Sequence, residues 1–252
     1  MDTITLRDGM TVQLHETLNS GTVGIMQALT QTTNGTMSNW YEDIGTDGLM
    51  ATYYQLFGNP FNEYADLFPV GTDQPPLTLP WAKGQTWYYT GGPHGAWGSG
   101  SAWASIDFAP PGNNYGCYVS PYFVRAMAAG TISESFLGKV TIDLDNDGYS
   151  GTGWAIHYMH LAYEDRVPLG TVVEVGDPIG RPACVGGYST GTHVHLSRSY
   201  NGRWVSAVSD NTPFILDGWT VGSDGEEYSG MLSKNGFVVE SAQGRGANSI
   251  TR

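Results

Sequence analysis

Apolar and polar positions alternate along most of the chain after residue 80. Runs of strand type fall at 85–90 (QTWYYT), 102–109 (AWASIDFA), 122–132, 139–144 (KVTIDL), 154–162 (WAIHYMHLA), 171–175, 193–200 and 203–208. Gly, Asn and Pro punctuate them, and no helical period intervenes, which predicts an antiparallel sheet. Asn201-Gly202 sits between the last two runs. Asn-Gly flanked by alternating strand formers predicts a tight hairpin, so HVHLSRSY and RWVSAV should pair. Before residue 80 the pattern differs. Ile25, Met26 and Leu29, then Leu49, Tyr53 and Leu56, recur at helical spacing, and Gly58, Asn59 and Pro60 stop the second set. Pro75, Pro76 and Pro80 read as a connector. The expected architecture is therefore mainly β: an antiparallel sheet domain over 81–252 behind a small α-helical region over 1–80.

Composition sharpens this picture. Glycine fills 35 of 252 positions, about twice its usual ~7% share, and charged residues are 14% against a typical ~25%. Aromatics reach 12%, which argues against disorder throughout. The formal charge is −13, and the lysines are Lys83, Lys139 and Lys234 alone. Without a basic cluster, neither nucleic acid nor an anionic membrane surface is an expected partner. No apolar run approaches the ~18 residues of a spanning helix. The opening MDTITLRDGM lacks a basic and then apolar leader pattern, so no signal peptide is expected in it. Cys117 and Cys184 allow one disulfide or two thiols.

Five of the six histidines lie in the strand-rich part: His94, His157, His160, His193 and His195. Residues two apart in a strand share a face, so His193 and His195 project together, ~7 Å apart along the strand. Paired imidazoles on one face are either a polar sheet surface or part of a metal site, for which histidine is the commonest ligand. Asp107 is set between Ile106 and Phe108. A carboxylate buried there needs a cation or hydrogen-bond donors, and a metal, an arginine or a helix N-terminus would each serve. His157 and His160 are three apart, so in a regular strand they face opposite sides. Strand parity leaves open which side holds a site. No HExxH helix and no GxSxG elbow occurs.

Taken in order, His94-(x12)-Asp107, Tyr158-x-His160 and His193-x-His195 resemble the lysostaphin-type zinc endopeptidases of bacterial cell walls, nearest the staphylolysin-like branch. VEVGDPIG at 173–180 and GTHVHLS at 191–197 carry the likeness further, over roughly 80–210. The resemblance implies an antiparallel β core with a long groove. It implies one zinc ion held by His94, Asp107 and His195, with a fourth position open, and His160 and His193 as catalytic histidines. His157 has no counterpart in the motif and is read as structural, a choice that agrees with the opposite-face argument. The implied substrate is peptidoglycan peptide, with Gly-Gly or other cross-bridge bonds first, cleaved by a secreted or surface-located enzyme acting as a monomer. A disulfide would tie the region after Asp107 to the loop before His193.

Other features compete. Asp143, Asp145, Asp147 and Gly148 match the first half of an EF-hand loop, a candidate calcium site. Trp154 stands where the bidentate glutamate belongs, and a plain Asp/Asn/Gly turn is the alternative. Trp87, Tyr88, Tyr89, Trp103 and Tyr158 are read mostly as core. Trp97, in the glycine loop, is a candidate groove wall. Tyr228 is a candidate oxyanion donor by analogy with the resembled enzymes. His15 is read as a packing or surface residue. Two non-enzymatic readings remain: a wall- or partner-binding β domain that has lost activity, and a calcium-dependent adhesion or carbohydrate-binding module. The first is disfavoured because all five motif residues are present.

Overall fold

The computed structural model describes residues 73–96, 102–112, 116–209 and 212–252 in full, and 2–5, 11–19, 22–31 and 37–42 as backbone. Strands β1 (Asp2–Thr5), β2 (Thr11–Asn19), β3 (Thr22–Gln31) and β4 (Met37–Glu42) pair antiparallel in sequence order. Ile25, Met26 and Leu29 thus lie in a strand rather than a helix. Their segment also holds Thr22, Val23 and Thr30, β-branched residues that suit a pleated strand. Leu49, Tyr53 and Leu56 lie outside the described residues. Among the described residues there is no helix.

The main sheet is built from β5 (Thr86–His94), β6 (Ser105–Ala109), β8 (Gly130–Phe136), β9 (Lys139–Asp143), β10 (Trp154–Met159), β11 (Val172–Val173), β13 (Val194–Tyr200), β14 (Arg203–Trp204) and β19 (Ser249–Thr251). Its order is β11-β8-β9-β10-β13-β6-β5-β19, with β14 on β13 and every pairing antiparallel. Two short strands, β7 (Val124–Arg125) and β12 (Pro178–Gly180), pair beside it. A second antiparallel meander follows: β15 (Ile215–Leu216), β16 (Trp219–Ser223), β17 (Gly230–Lys234) and β18 (Phe237–Glu240). The Asn-Gly hairpin forms as expected. Ser199 faces Trp204 and Tyr200 faces Arg203, and Asn201 and Gly202 have φ of 48° and 71°. Both positive angles are those of a type I′ turn.

Strand alternation gives the main sheet two different faces. One is apolar: Trp87, Tyr89, Ile106, Phe108, Val140, Ile142, Ile156, Tyr158, Val194 and Leu196 are fully buried. Trp81 stacks on Trp87 with ring centroids 5.3 Å apart and meets Phe108 edge-on at 5.1 Å. Tyr158 accepts a hydrogen bond from the Met127 amide at 2.9 Å, so it belongs to this core. The chain joins this packing ahead of residue 80: Leu77 and Leu79 are core residues, and Gln74 donates to the Ile215 carbonyl at 2.8 Å. Arg198, fully buried, donates from its two terminal nitrogens to carbonyls of Ser206, Thr212 and Pro213 and to Gln74, and lies over Phe214.

The other face is polar. One row runs Gly91, Asp107, His195, Met159 across β5, β6, β13 and β10. The next row runs His94, Ser105, Ser197, His157, Thr141, Glu134. Asp107 is apolar-flanked in sequence because its neighbours point to the opposite face. Since Trp87 fills the core beneath these rows, Trp87→Ala should cost about 3–5 kcal/mol, read as a lowered urea midpoint. A loss below about 1 kcal/mol would contradict this packing account.

Candidate metal centre

Three side chains meet on the polar face. His94 Nε2 lies 3.0 Å from His195 Nδ1 and 3.3 Å from Asp107 Oδ1, and His195 Nδ1 lies 3.1 Å from that same oxygen. A tetrahedral zinc with ~2.0–2.1 Å bonds has ligand–ligand edges of about 3.3 Å. The three atoms therefore span one face of such a tetrahedron to within a few tenths of an ångström. The tautomers agree. His94 donates from Nδ1 to the Gly92 carbonyl at 2.7 Å, and His195 donates from Nε2 to the Ala96 carbonyl at 3.1 Å. Each ring then presents its other nitrogen as a lone pair toward the shared point, as metal-ligating imidazoles do.

The backbone explains how they arrive there. Asp107 stands directly across from His195 in the β6–β13 ladder and from Gly91 in the β5–β6 ladder. A Cβ on Gly91 would lie 2.7 Å from Asp107 Oδ2, so glycine leaves the carboxylate its space. A Cβ on Gly92 would lie 2.4 Å from the Ser229 carbonyl carbon, so the second glycine lets β5 pass under that segment. Register shifts in β5 between Tyr89 and Gly91 and between Gly91 and His94 re-aim His94. Burial pushes the Asp107 carboxyl up, but the adjacent His94 and then His193 imidazoles hold it well below the usual range. Burial also lowers His94, yet Asp107 raises it overall, whereas for His195 burial wins and the shift is downward.

His193 and His160 sit beside this centre. The His193 ring donates from Nδ1 to the Gly191 carbonyl at 2.7 Å, with Nε2 3.7 Å from Asp107 Oδ2. The His160 ring centroid is 4.5 Å from that of His193 and 6.0 Å from that of His195. His160 donates from Nδ1 to the Val185 carbonyl at 3.1 Å. Burial, with His193 and His195 nearby, pulls it down to about 3, so it is a neutral base at physiological pH. The opposite-face argument for choosing between His157 and His160 does not hold. The register places His157, not His160, on the face of His195. His160 follows the end of β10, and its φ of 66° turns its ring back toward the polar face. His157 is instead enclosed in the second row, bonded to Thr141 Oγ1 at 3.1 Å and Ser199 Oγ at 2.8 Å under Trp204.

Several neighbours carried little or no sequence signal. Tyr228 stacks on His94 with centroids 4.1 Å apart, and burial, with Asp107, Glu227 and Tyr188, pushes its phenol up to about 12. Tyr188 is 90% exposed. Cys117 and Cys184 form a disulfide that ties the region after β6 to the loop before His193. Trp97 lies outside the described residues.

The calcium expectation is corrected. The Asp143, Asp145 and Asp147 oxygens lie within 4.8 Å of one another, but they serve the turn itself. Asp143 accepts from the Asp145 and Gly148 amides at 3.2 and 2.8 Å, and Asp147 accepts from the Tyr149 amide and the Thr152 hydroxyl, both at 2.7 Å. These are Asx-turn contacts, and with Trp154 in β10 there is no twelfth-position carboxylate.

Gly91→Ala should displace the Asp107 carboxylate and weaken zinc binding about 10–100-fold in a competitive chelator titration. Unchanged affinity would sink the spacing argument. His157 is lowered by burial, then by Lys139, from its ordinary 6.5 to about 3. Between those values the unfolded chain binds a proton that the folded chain does not, so stability falls as pH falls, by up to about 1.4 kcal/mol per pH unit. Urea midpoints of His157→Gln should fall less steeply across that window than wild type, and identical slopes would refute the assignment.

No family model matches the chain. It is 31% identical over 173 residues to Protease LasA of Pseudomonas aeruginosa, covering 62% of this chain and 39% of that protein. It is 29% identical over 173 residues to the beta-lytic metalloendopeptidase of Achromobacter lyticus, covering 64% of this chain and 43% of that one. The chain thus matches about two fifths of the length of these curated relatives. The solved structure of the M23 metalloprotease pseudoalterin superposes with a TM-score of 0.57 at 24% identity, over 70% of this chain and 98% of that one, and shares the fold. The order of the His94–Asp107, Tyr158-x-His160 and His193-x-His195 motifs, their convergence on one centre and the two curated relatives all support a likeness to the lysostaphin-type metallopeptidases.

Proposed function

We propose that this chain is a zinc-dependent endopeptidase that hydrolyses peptide bonds of bacterial peptidoglycan, with Gly-Gly or other cross-bridge bonds as first choice. The observation that carries the reading is the triangle of His94 Nε2, Asp107 Oδ1 and His195 Nδ1, whose edges of 3.0 to 3.3 Å suit one small divalent ion. Zinc held there supplies a Lewis acid that activates water and polarises the scissile carbonyl. His160, kept neutral and oriented by its Nδ1–H bond to Val185, is suited to take a proton from the attacking water. His193, held the same way by Gly191 and 4.5 Å from His160 between ring centroids, is suited to receive that proton at Nε2 by relay and pass it to the leaving amine. The Tyr228 phenol, protonated at neutral pH, is suited to donate to the developing oxyanion. The Cys117–Cys184 disulfide suits a secreted or surface location.

The test is hydrolysis of pentaglycine and of purified cell wall, with and without 1,10-phenanthroline. Zinc-dependent release of fragments, abolished by the chelator and restored by added zinc, is expected. Hydrolysis that persists without metal would remove the mechanism. His195→Ala should lose both zinc and activity. His160→Ala should keep zinc and lose on the order of 10²–10⁴-fold in kcat.

A further inference from the structure

The segment 183–187 touches both histidines proposed as proton carriers. Its Ala183 amide donates to the His160 carbonyl at 2.6 Å, and its Val185 carbonyl accepts from the His160 ring at 3.1 Å. Ala183 also forms a bridge with His193. Three contacts fix this segment and the neighbouring 191–193 stretch. Cys184 is joined to Cys117. Beside Cys117, Gly116 bridges Gly191 and accepts from the Thr192 amide at 3.2 Å, next to His193. The third contact is backbone on backbone: a Cβ on Gly186 would lie 2.0 Å from the Leu137 carbonyl oxygen, and one on Gly138 would lie 2.4 Å from the Val185 oxygen. The Gly138 carbonyl in turn accepts from the Leu161 amide at 2.9 Å, on the other side of His160.

The geometry points to a positioning device: glycine-on-glycine packing of 185–186 against the β8–β9 turn, closed by the Cys117–Cys184 disulfide, sets the orientation of His160. Without side chains at 186 and 138 the two backbones touch directly, and the Val185 carbonyl stands where it fixes the His160 tautomer. His160 needs such an outside hold because its own φ of 66° lies in the left-handed region, where a non-glycine residue is not self-supporting. Gly138, Gly186 and the two cysteines are positioning residues, and the metal triangle is independent of them. This inference rests on the proposed peptidase reading for its kinetic arm only.

Gly186→Ala and the double variant Cys117→Ala/Cys184→Ala test it. Gly84→Ala is the control, with the same left-handed backbone at φ 82° and nothing within 4 Å of the added Cβ. Both test variants should bind one zinc per chain with wild-type affinity and keep KM, while kcat on pentaglycine falls about 10–100-fold, the scale of a misplaced catalytic group. The bonded His160 Nδ1–H, a slowly exchanging imidazole signal in ¹⁵N spectra of the wild type, should disappear in both. The control should match wild type in every readout. Wild-type kcat with the imidazole signal intact would overturn the proposal, and so would loss of zinc in step with rate. If Gly186→Ala does not fold, the disulfide variant decides alone by the same criteria. A wild-type protein that leaves pentaglycine and cell wall intact would refute the peptidase reading, and the imidazole signal would still decide the positioning.

Discussion

Everything around the centre answers to the burial of one charge. The Asp107 carboxylate is only 7% exposed in the middle of a sheet, where an unpaired ion would be strongly disfavoured. Its position is tolerable because His94 and His195 converge on one of its oxygens and a cation can share the corner. That requirement reaches back into the backbone. It needs glycine at 91, a second glycine at 92 so that β5 can pass Ser229, and register shifts that swing His94 into place. It also needs the Gly92 and Ala96 carbonyls to choose the two imidazole tautomers. Removing any of these leaves the carboxylate in the same buried setting with fewer partners.

The sheet separates this chemistry from stability. Its apolar face, with Trp87, Phe108, Tyr158 and Leu196, forms a continuous core on the side opposite Asp107 and His195. Its polar face carries two rows, the metal row and the row containing His157, Thr141 and Glu134. In the second row Glu134 pairs with Lys139 at 2.6 Å, and all four side chains are buried and bonded. Bonded to one another in a buried setting, these four groups strengthen each other's contacts. The second row flanks the Asp107–His195 row on the same face, while the loops at 183–193 and around Tyr228 approach that row from outside the sheet.

Much of this was legible from the sequence and some was not. His193-x-His195 reads directly because two-residue periodicity survives at the start of β13. Asp107 reads as exceptional because its flanks are apolar. The Asn201-Gly202 turn reads because its chemistry admits few alternatives. His160 defeats parity because β10 ends one residue earlier and the chain turns left-handed, which no periodic pattern announces. The meander over 215–240 and strand β19 escaped notice because their strands are two to five residues long and rich in Gly and Ser. Ile25, Met26 and Leu29 satisfy a helical period by spacing alone, and β-branched neighbours outweigh it. The Asp143–Asp147 loop shares its spacing with a cation site, but its carboxylates are spent on local amides. Gly91, Gly92, Gly138 and Gly186 matter through what approaches them in three dimensions, which a one-dimensional pattern does not show.

The most direct measurement of the central claim is an anomalous difference map collected on either side of the zinc absorption edge from crystals grown with zinc. The account predicts a single strong peak about 2.1 Å from His94 Nε2, Asp107 Oδ1 and His195 Nδ1 alike. A map with no peak there, or with the peak at the Asp143–Asp147 loop instead, would contradict it.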